Sequence, residues 1–239
     1  MRQHPWTIAS SYDHVAQQYT ETFFGELSRK PLDRQLLDAF AARLRHRCPV
    51  CDVGCGPGQV ARYLKDRGME VCGVDLSATM VQCATQRNPD IPFYQGDMRA
   101  LACPPALFAG IVAFYSLIHL QRPEVLPTLQ ELYRVLHAHA PLLLALHGGT
   151  GEVHTENWFG QGVSIDATLF TAEEMTGYVY EAGFQVEQVA ERDPYPFEYQ
   201  SRRIYILGSK GEAQAGAPAA SAGKFTVSSL EPHMHSSHF

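Results

Sequence analysis

A surplus of positive charge is what this chain of 239 residues lacks: 19 Lys and Arg stand against 25 Asp and Glu, a net charge of −6. That balance argues against gripping nucleic acid or an anionic membrane surface, both of which favour a basic field. Long hydrophobic runs are missing as well. The most apolar stretch, Leu107 to Leu120, is broken by Ser116 and His119 and falls short of the roughly 18 residues a spanning helix needs. The start, Met1-Arg2-Gln3-His4-Pro5-Trp6, has no apolar core of the secretory kind. Cysteine is too sparse for a disulfide scaffold: six, at 48, 51, 55, 72, 83 and 103. Cys48-Pro49-Val50-Cys51 has C-x-x-C spacing, but no second such pair or His pair stands at a matching distance. Cys51 also opens an apolar run, where cysteine behaves as a small hydrophobe. No metal site is expected. The absences point to a soluble, cytoplasmic protein, and 45% apolar against 18% charged residues supports a sizeable core.

What is present is an alternation of short apolar runs and helical patterns. Strands are expected at Val50–Val53, Glu70–Val74, Pro92–Gln95, Ile111–Tyr115 and Pro141–Leu146, with helices over Gln59–Asp66, from Ser77 to about Gln86, and over Pro123–Leu136. This predicts an α/β fold, a mostly parallel sheet with helices on both faces. Gly148–Leu169 reads as a long loop holding His154, Trp158, Phe159 and Asp166. Thr171-Ala172-Glu173-Glu174 has capping-box spacing, and its helix closes at Gly183. Phe184–Ala190 and Arg203–Leu207 read as the final strands. Residues 209–239, small and Ala-rich and then His-rich, read as a disordered tail.

The informative segment is Cys51-Asp52-Val53-Gly54-Cys55-Gly56-Pro57-Gly58-Gln59-Val60-Ala61, set between a strand and a helix. Alternate glycines allow a sharp turn and close approach to a ligand, and the next helix points its N-terminal N–H groups there. Asp75, ending the second strand, can accept both hydroxyls of a ribose. Two cofactors compete for such a loop. Gly56-Pro57-Gly58-Gln59-Val60-Ala61 satisfies G-x-G-x-x-A, the dinucleotide fingerprint. Asp52, however, would face and repel a pyrophosphate, while it suits a cationic amino-acid end. Asp97, in Gly96-Asp97-Met98, adds an acceptor for an exocyclic adenine amine.

Asp52-x-Gly54-x-Gly56-x-Gly58, Asp75 and Gly96-Asp97-Met98, in that order and spacing, resemble class I S-adenosylmethionine-dependent methyltransferases. The resemblance covers residues 10–208. Tyr12-Asp13-x-x-Ala16-x-x-Tyr19 is similar to the N-terminal lid helix of small-molecule members, making residues 1–30 a lid region and 31–208 the methyltransferase domain. The resemblance implies a Rossmann-like seven-stranded sheet of order 3-2-1-4-5-7-6, its last-formed strand antiparallel. It implies S-adenosylmethionine as cofactor, with Gly54, Cys55, Gly56 and Gly58 under the methionine part and Asp52 at its amino group. Asp75 would take the ribose, Leu76 the adenine face, Gly96, Asp97 and Met98 the adenine edge, and Tyr12, Tyr19 and Tyr115 would close the site. His119 and His147, each following a strand, are the candidate bases. Ser116, His119, His154, Trp158 and Asp166 are expected to wall the pocket of a small-molecule methyl acceptor, with neither nucleic acid nor membrane as partner. A nicotinamide-dependent reductase and a non-catalytic cofactor-binding protein remain as alternatives. The first is disfavoured by the lack of a Tyr-x-x-x-Lys pair near the fourth and fifth strands.

Overall fold

Four buried residues in succession, Val50–Val53, form β1, and burial on both faces is what a parallel strand covered by helices requires. In the computed structural model, which describes residues 5–44 and 49–211, β1 pairs in parallel with β2 (Val71–Asp75) on one side and β4 (Gly110–Phe114) on the other. β3 (Phe93–Gln95) extends the sheet beyond β2, and β5 (Pro141–Gly148) extends it beyond β4. Helices α3 (Gln59–Lys65), α4 (Ala78–Arg87) and α5 (Arg122–Val135) make the crossovers. The boundaries fall within two residues of those expected, because each carries a stop or start with a local cause. Ser77 Oγ accepts the Met80 N–H to cap α4. Gln121 and Glu124 form a capping box ahead of α5, with proline in its first turn.

The two sheet faces bury separate cores. Ile111, Ala113, Leu142 and Leu144 point to one face, with Leu129 and Leu132 of α5. Val112, Leu143 and Ala145 point to the other, against Val60 and Leu64 of α3 and Phe40 of a further helix, α2 (Pro31–Ala41). Each such fully buried aliphatic side chain contributes about 1.5–3 kcal/mol. The sheet ends in β9 (Arg202–Lys210), antiparallel to β5, and an edge strand β8 (Phe184–Arg192) antiparallel to β9. With α6 (Ala172–Glu181) between sheet strands, the order is β3-β2-β1-β4-β5-β9-β8. Counting only sheet strands, that is the order expected, with the last-formed strand antiparallel.

Three expectations need correction. Gly148–Leu169 is no loop: it folds as a separate antiparallel hairpin of β6 (Glu152–Trp158) and β7 (Val163–Thr168). The alternating exposure of β6 leaves it mostly polar, so the sequence shows no apolar run there. α2 carries no expected counterpart either; it starts at Lys30-Pro31, where proline suits the first helical turn. The tail cannot begin at 209, since β9 runs to Lys210, pairing with β5 at Ser209 and with Phe184 of β8 at Lys210; residues 212–239 lie outside the described residues, as does Cys48 of the C-x-x-C pair. The N-terminal region is helix α1 (Pro5–Phe23) followed by a 3-10 turn, Glu26–Arg29. Among the described residues, no helix is long and apolar enough to cross a membrane.

Candidate active site

The carboxyl ends of β1, β2, β3 and β4 open onto a cavity of about 470 Å³ that α1 covers, within the usual size of small-molecule sites. Thirteen of the expected positions line it: Tyr12, Tyr19, Gly54, Cys55, Gly56, Asp75, Leu76, Gly96, Asp97, Met98, Tyr115, Ser116 and His119. The glycine loop gets its shape from left-handed residues. Gly54 has φ +69°, and a Cβ there would stand 2.2 Å from the Ser116 Cβ. Gly58 has φ +82°, with Phe93 and Asn88 within 3 Å of such a Cβ. These two glycines answer to packing within the protein, and Gly58 does not reach the cavity. Only at Gly56 does the open side face it, where a Cβ would meet nothing nearer than Tyr19, 3.9 Å away.

Asp75 ties this loop to the next one. Its Oδ2 accepts the Gly56 N–H at 2.7 Å and its Oδ1 the Ser77 N–H at 2.9 Å. Burial nevertheless pushes its pKa up to about 6, against the pull of those two N–H groups. Asp97 has a partner that the sequence reading does not foresee. Arg99 grips its carboxylate from Nε and Nη2, adds its own backbone N–H, and reaches Glu124 with Nη1 at 2.7 Å. Burial works to raise Asp97, but the Arg99 hydrogen bonds outweigh it and hold the carboxyl below its ordinary value. Arg99, Gln59, Gln121 and Glu124 all line the cavity; Arg99, two residues beyond Asp97, was the one with a legible signal.

Asp52 stands in β1, two residues ahead of Gly54. It is buried, its Oδ2 accepts the Ala61 N–H at 3.0 Å at the start of α3, and it borders a second, small cavity with Glu26, Asp33 and Gln59 rather than the large one. Burial pushes it up to about 7.

The two candidate bases separate cleanly. His147 does not line the cavity. Its Nδ1 pairs with Ser201 Oγ at 2.7 Å, and burial with nearby Arg203 drops its pKa to about 3, which makes it a weak base. His119 does line it, on the 3-10 turn Leu117–His119. Its Nδ1 lies 2.8 Å from the Asp166 carbonyl oxygen and its Nε2 2.7 Å from Tyr12 Oη. Burial lowers the His119 pKa and raises that of Tyr12.

The expected acceptor wall is also revised. Ser116 reaches the cavity, but its hydroxyl donates to the Val53 carbonyl at 2.8 Å. His154 pairs with the Asp166 carboxylate across the hairpin and is half exposed, away from the cavity. Trp158 packs its ring against Tyr12 and Tyr19, at 5.0 and 6.0 Å between centroids, backing α1 rather than lining the pocket. Asp166 contributes its carbonyl, not its carboxylate. Tyr115, left-handed at φ +56°, turns its hydroxyl toward Asp33 and Tyr205.

Residues 50–139 match a family model described as a methyltransferase domain. A malonyl-[acyl-carrier protein] O-methyltransferase of Pseudescherichia vulneris is 30% identical over 171 residues, 70% of this chain and 64% of that protein. A demethylmenaquinone methyltransferase of Renibacterium salmoninarum is 30% identical over 145 residues, 59% of each. The chain thus spans less than two-thirds of these relatives. Among solved structures, a methyltransferase of Methanosarcina mazei superposes with TM-score 0.66 at 16% identity over 72% of this chain and 97% of that one. The [4+2]-cyclase SpnF superposes with TM-score 0.66 at 18% identity over 85% and 95%; these likenesses speak to the fold. Residues 50–139 are thus a methyltransferase domain by the family model, and the strand order is that of the class I S-adenosylmethionine-dependent methyltransferase fold.

Proposed function

We propose that the chain transfers a methyl group from S-adenosylmethionine to a small-molecule nucleophile. One observation carries the reading: a single cavity gathers Gly56, Asp75, Asp97, Met98 and His119 at the carboxyl edge of a parallel sheet, where ligands of such sheets bind. The donor set fits an adenosyl amino acid. Asp75 keeps lone pairs for ribose hydroxyls beyond the two N–H groups it already accepts, Leu76 and Met98 offer apolar faces to a purine, and Asp97 an ionised edge. Asp52, Glu26 and Gln59 place acceptors around the small cavity beside the glycine loop, suited to an ammonium group.

When bound, the sulfonium supplies an already electrophilic methyl, so the protein's share is orientation and exclusion of water. α1 and the β6–β7 hairpin serve that share. Asp13 of α1 accepts from Ser77 Oγ and from the Thr79 N–H at 3.0 Å, and Ser11 Oγ donates to the Ser164 carbonyl of β7. Calorimetric titration with S-adenosylhomocysteine, with NADH as control, tests the reading. Micromolar binding of the first alone supports it; binding of NADH alone refutes it.

A further inference from the structure

The hydrogen-bond geometry around His119 fixes which nitrogen carries its proton. A backbone carbonyl only accepts, so Nδ1, 2.8 Å from the Asp166 oxygen, must be the protonated nitrogen. In the neutral ring Nε2 is then a bare acceptor, and Tyr12 Oη, 2.7 Å away, donates to it. The remaining Oη lone pairs belong to a group that lines the cavity. Three elements meet here from distant parts of the chain: α1 brings Tyr12, the turn after β4 brings His119, and β7 brings the Asp166 carbonyl.

We propose that Tyr12 and His119 form a proton relay, oriented by the Asp166 carbonyl, and that the acceptor is a neutral molecule bearing a proton on its nucleophilic atom, an O–H or N–H. The inference rests on the methyltransferase reading. For an acceptor X–H, the X–C bond forms as the sulfonium C–S bond breaks with its electron pair left on sulfur. The proton on X passes to Tyr12 Oη while the Tyr12 proton passes to His119 Nε2. The resulting imidazolium keeps donating from Nδ1 to Asp166 and returns its extra proton to water. Positive charge is conserved: the cofactor loses one and the imidazole gains one.

Such a relay has no task with a carboxylate, which arrives without a proton. The cavity also offers a carboxylate no counter-ion of its own. Arg99 is the one Lys or Arg among the described lining residues, and its guanidinium is held by Asp97 and Glu124. The charged and titratable groups around the relay favour a neutral ring at rest. Asp75 and Tyr19 face Tyr12 and raise its pKa further. Burial lowers His119, partly opposed by Asp166, while His147 stays neutral on β5. The Tyr12 phenol and the His119 imidazole are therefore both uncharged at pH 7, as a relay awaiting a proton must be.

Three readings on the full chain test this. Calorimetry with S-adenosylhomocysteine comes first; failure to bind sinks the methyltransferase reading itself, not the relay alone. Histidine ¹⁵N NMR of protein saturated with S-adenosylhomocysteine reads the tautomer directly: His119 is expected neutral with Nδ1 protonated at pH 7, and Tyr12→Phe, saturated likewise, should shift the Nε2 resonance toward a bare acceptor. An Nε2-protonated or cationic His119 overturns the relay whether or not any acceptor turns over. Third, matched phenols and benzoates serve as probes, with release of S-adenosylhomocysteine as readout. Transfer to phenols, lowered about 100-fold or more in kcat by Tyr12→Phe, supports the relay, as does a wild-type pH profile rising on one ionisation below 6.5 that the variant lacks. Transfer to benzoates that Tyr12→Phe leaves unchanged overturns it.

Discussion

Replacing Asp75 by asparagine should weaken ligand binding and strengthen the empty fold at the same time. The side chain keeps its shape, but one oxygen becomes an NH2 group that meets either the Gly56 or the Ser77 N–H, both now donating to the carboxylate. Binding loses at least one charge-assisted bond to a ribose hydroxyl, about 1.5–3 kcal/mol, so Kd for S-adenosylhomocysteine should rise tenfold or more. Stability moves the other way. Burial raises this carboxyl to about 6 in the fold, against about 3.9 in the unfolded chain. A folded pKa above the unfolded one means that stability is fully present below about pH 4 and is lost as pH rises toward 6. At pH 7 the ionised group therefore costs about 3 kcal/mol, of which one lost N–H bond returns about 1. The variant should gain about 1–2 kcal/mol at pH 7, several degrees in Tm, and lose that advantage at pH 4. Calorimetry and thermal melts at the two pH values measure both effects. An unchanged Kd would refute the ribose assignment; a variant less stable at pH 7 would show that the two N–H bonds outweigh the desolvation of the carboxylate.

Gly54→Ala should destabilise by more than 3 kcal/mol in urea melts, because the new Cβ lands 2.2 Å from Ser116 at a left-handed φ; Ser116→Gly in the same chain should recover the clash but not the backbone strain. Asp52, raised to about 7 by burial beside the small acidic cavity, should make S-adenosylhomocysteine bind more tightly at pH 8 than at pH 6, since a cationic amine favours the ionised carboxylate. Calorimetry should show that slope flattened in Asp52→Asn. Arg192→Met should cost about 1.5–3 kcal/mol by removing the guanidinium that bridges Asp33 and Glu198, which keep Tyr205 and Lys30 as their remaining partners. In the wild type, burial disfavours the Glu198 charge but Arg192 holds its pKa down at about 2; that contribution should persist above about pH 4.3 and fade as pH drops toward 2, read from acid-induced unfolding.

How far the sequence could be read depended on how local the cause was. β1, the glycine loop and α3 were legible because an apolar run, three glycines and a helical pattern adjoin one another, and the strands β4 and β5 because burial on two faces leaves runs of Val, Ile, Leu and Ala. The β6–β7 hairpin was illegible for the opposite reason. It is a two-stranded ribbon whose β6 residues mostly alternate between exposed and half-buried, held to the rest by ring contacts from Trp158 and Phe159 to α1. The two histidines looked equivalent in sequence, each just past an apolar run. They part company in space because β5 pairs with β9 through His147↔Arg203, which sets His147 among cations, whereas His119, on the turn after β4, is met by Tyr12 of α1 and the Asp166 carbonyl of β7. Arg99 had a local signal, two residues beyond Asp97, but its bridge to Glu124, 25 positions away in α5, had none.

The contacts of α1 bear on the order in which the protein is made. Tyr12 meets His119 across 107 positions and Ser11 meets Ser164 across 153, and Tyr19 reaches Trp158. α1 must therefore wait, with its aromatic side unmatched, until the β6–β7 hairpin has been synthesised. Loop closure over such spans is slow to be rewarded, so docking of α1 should be a late event in folding, and the binding cavity should be the last part of the molecule to gain its cover.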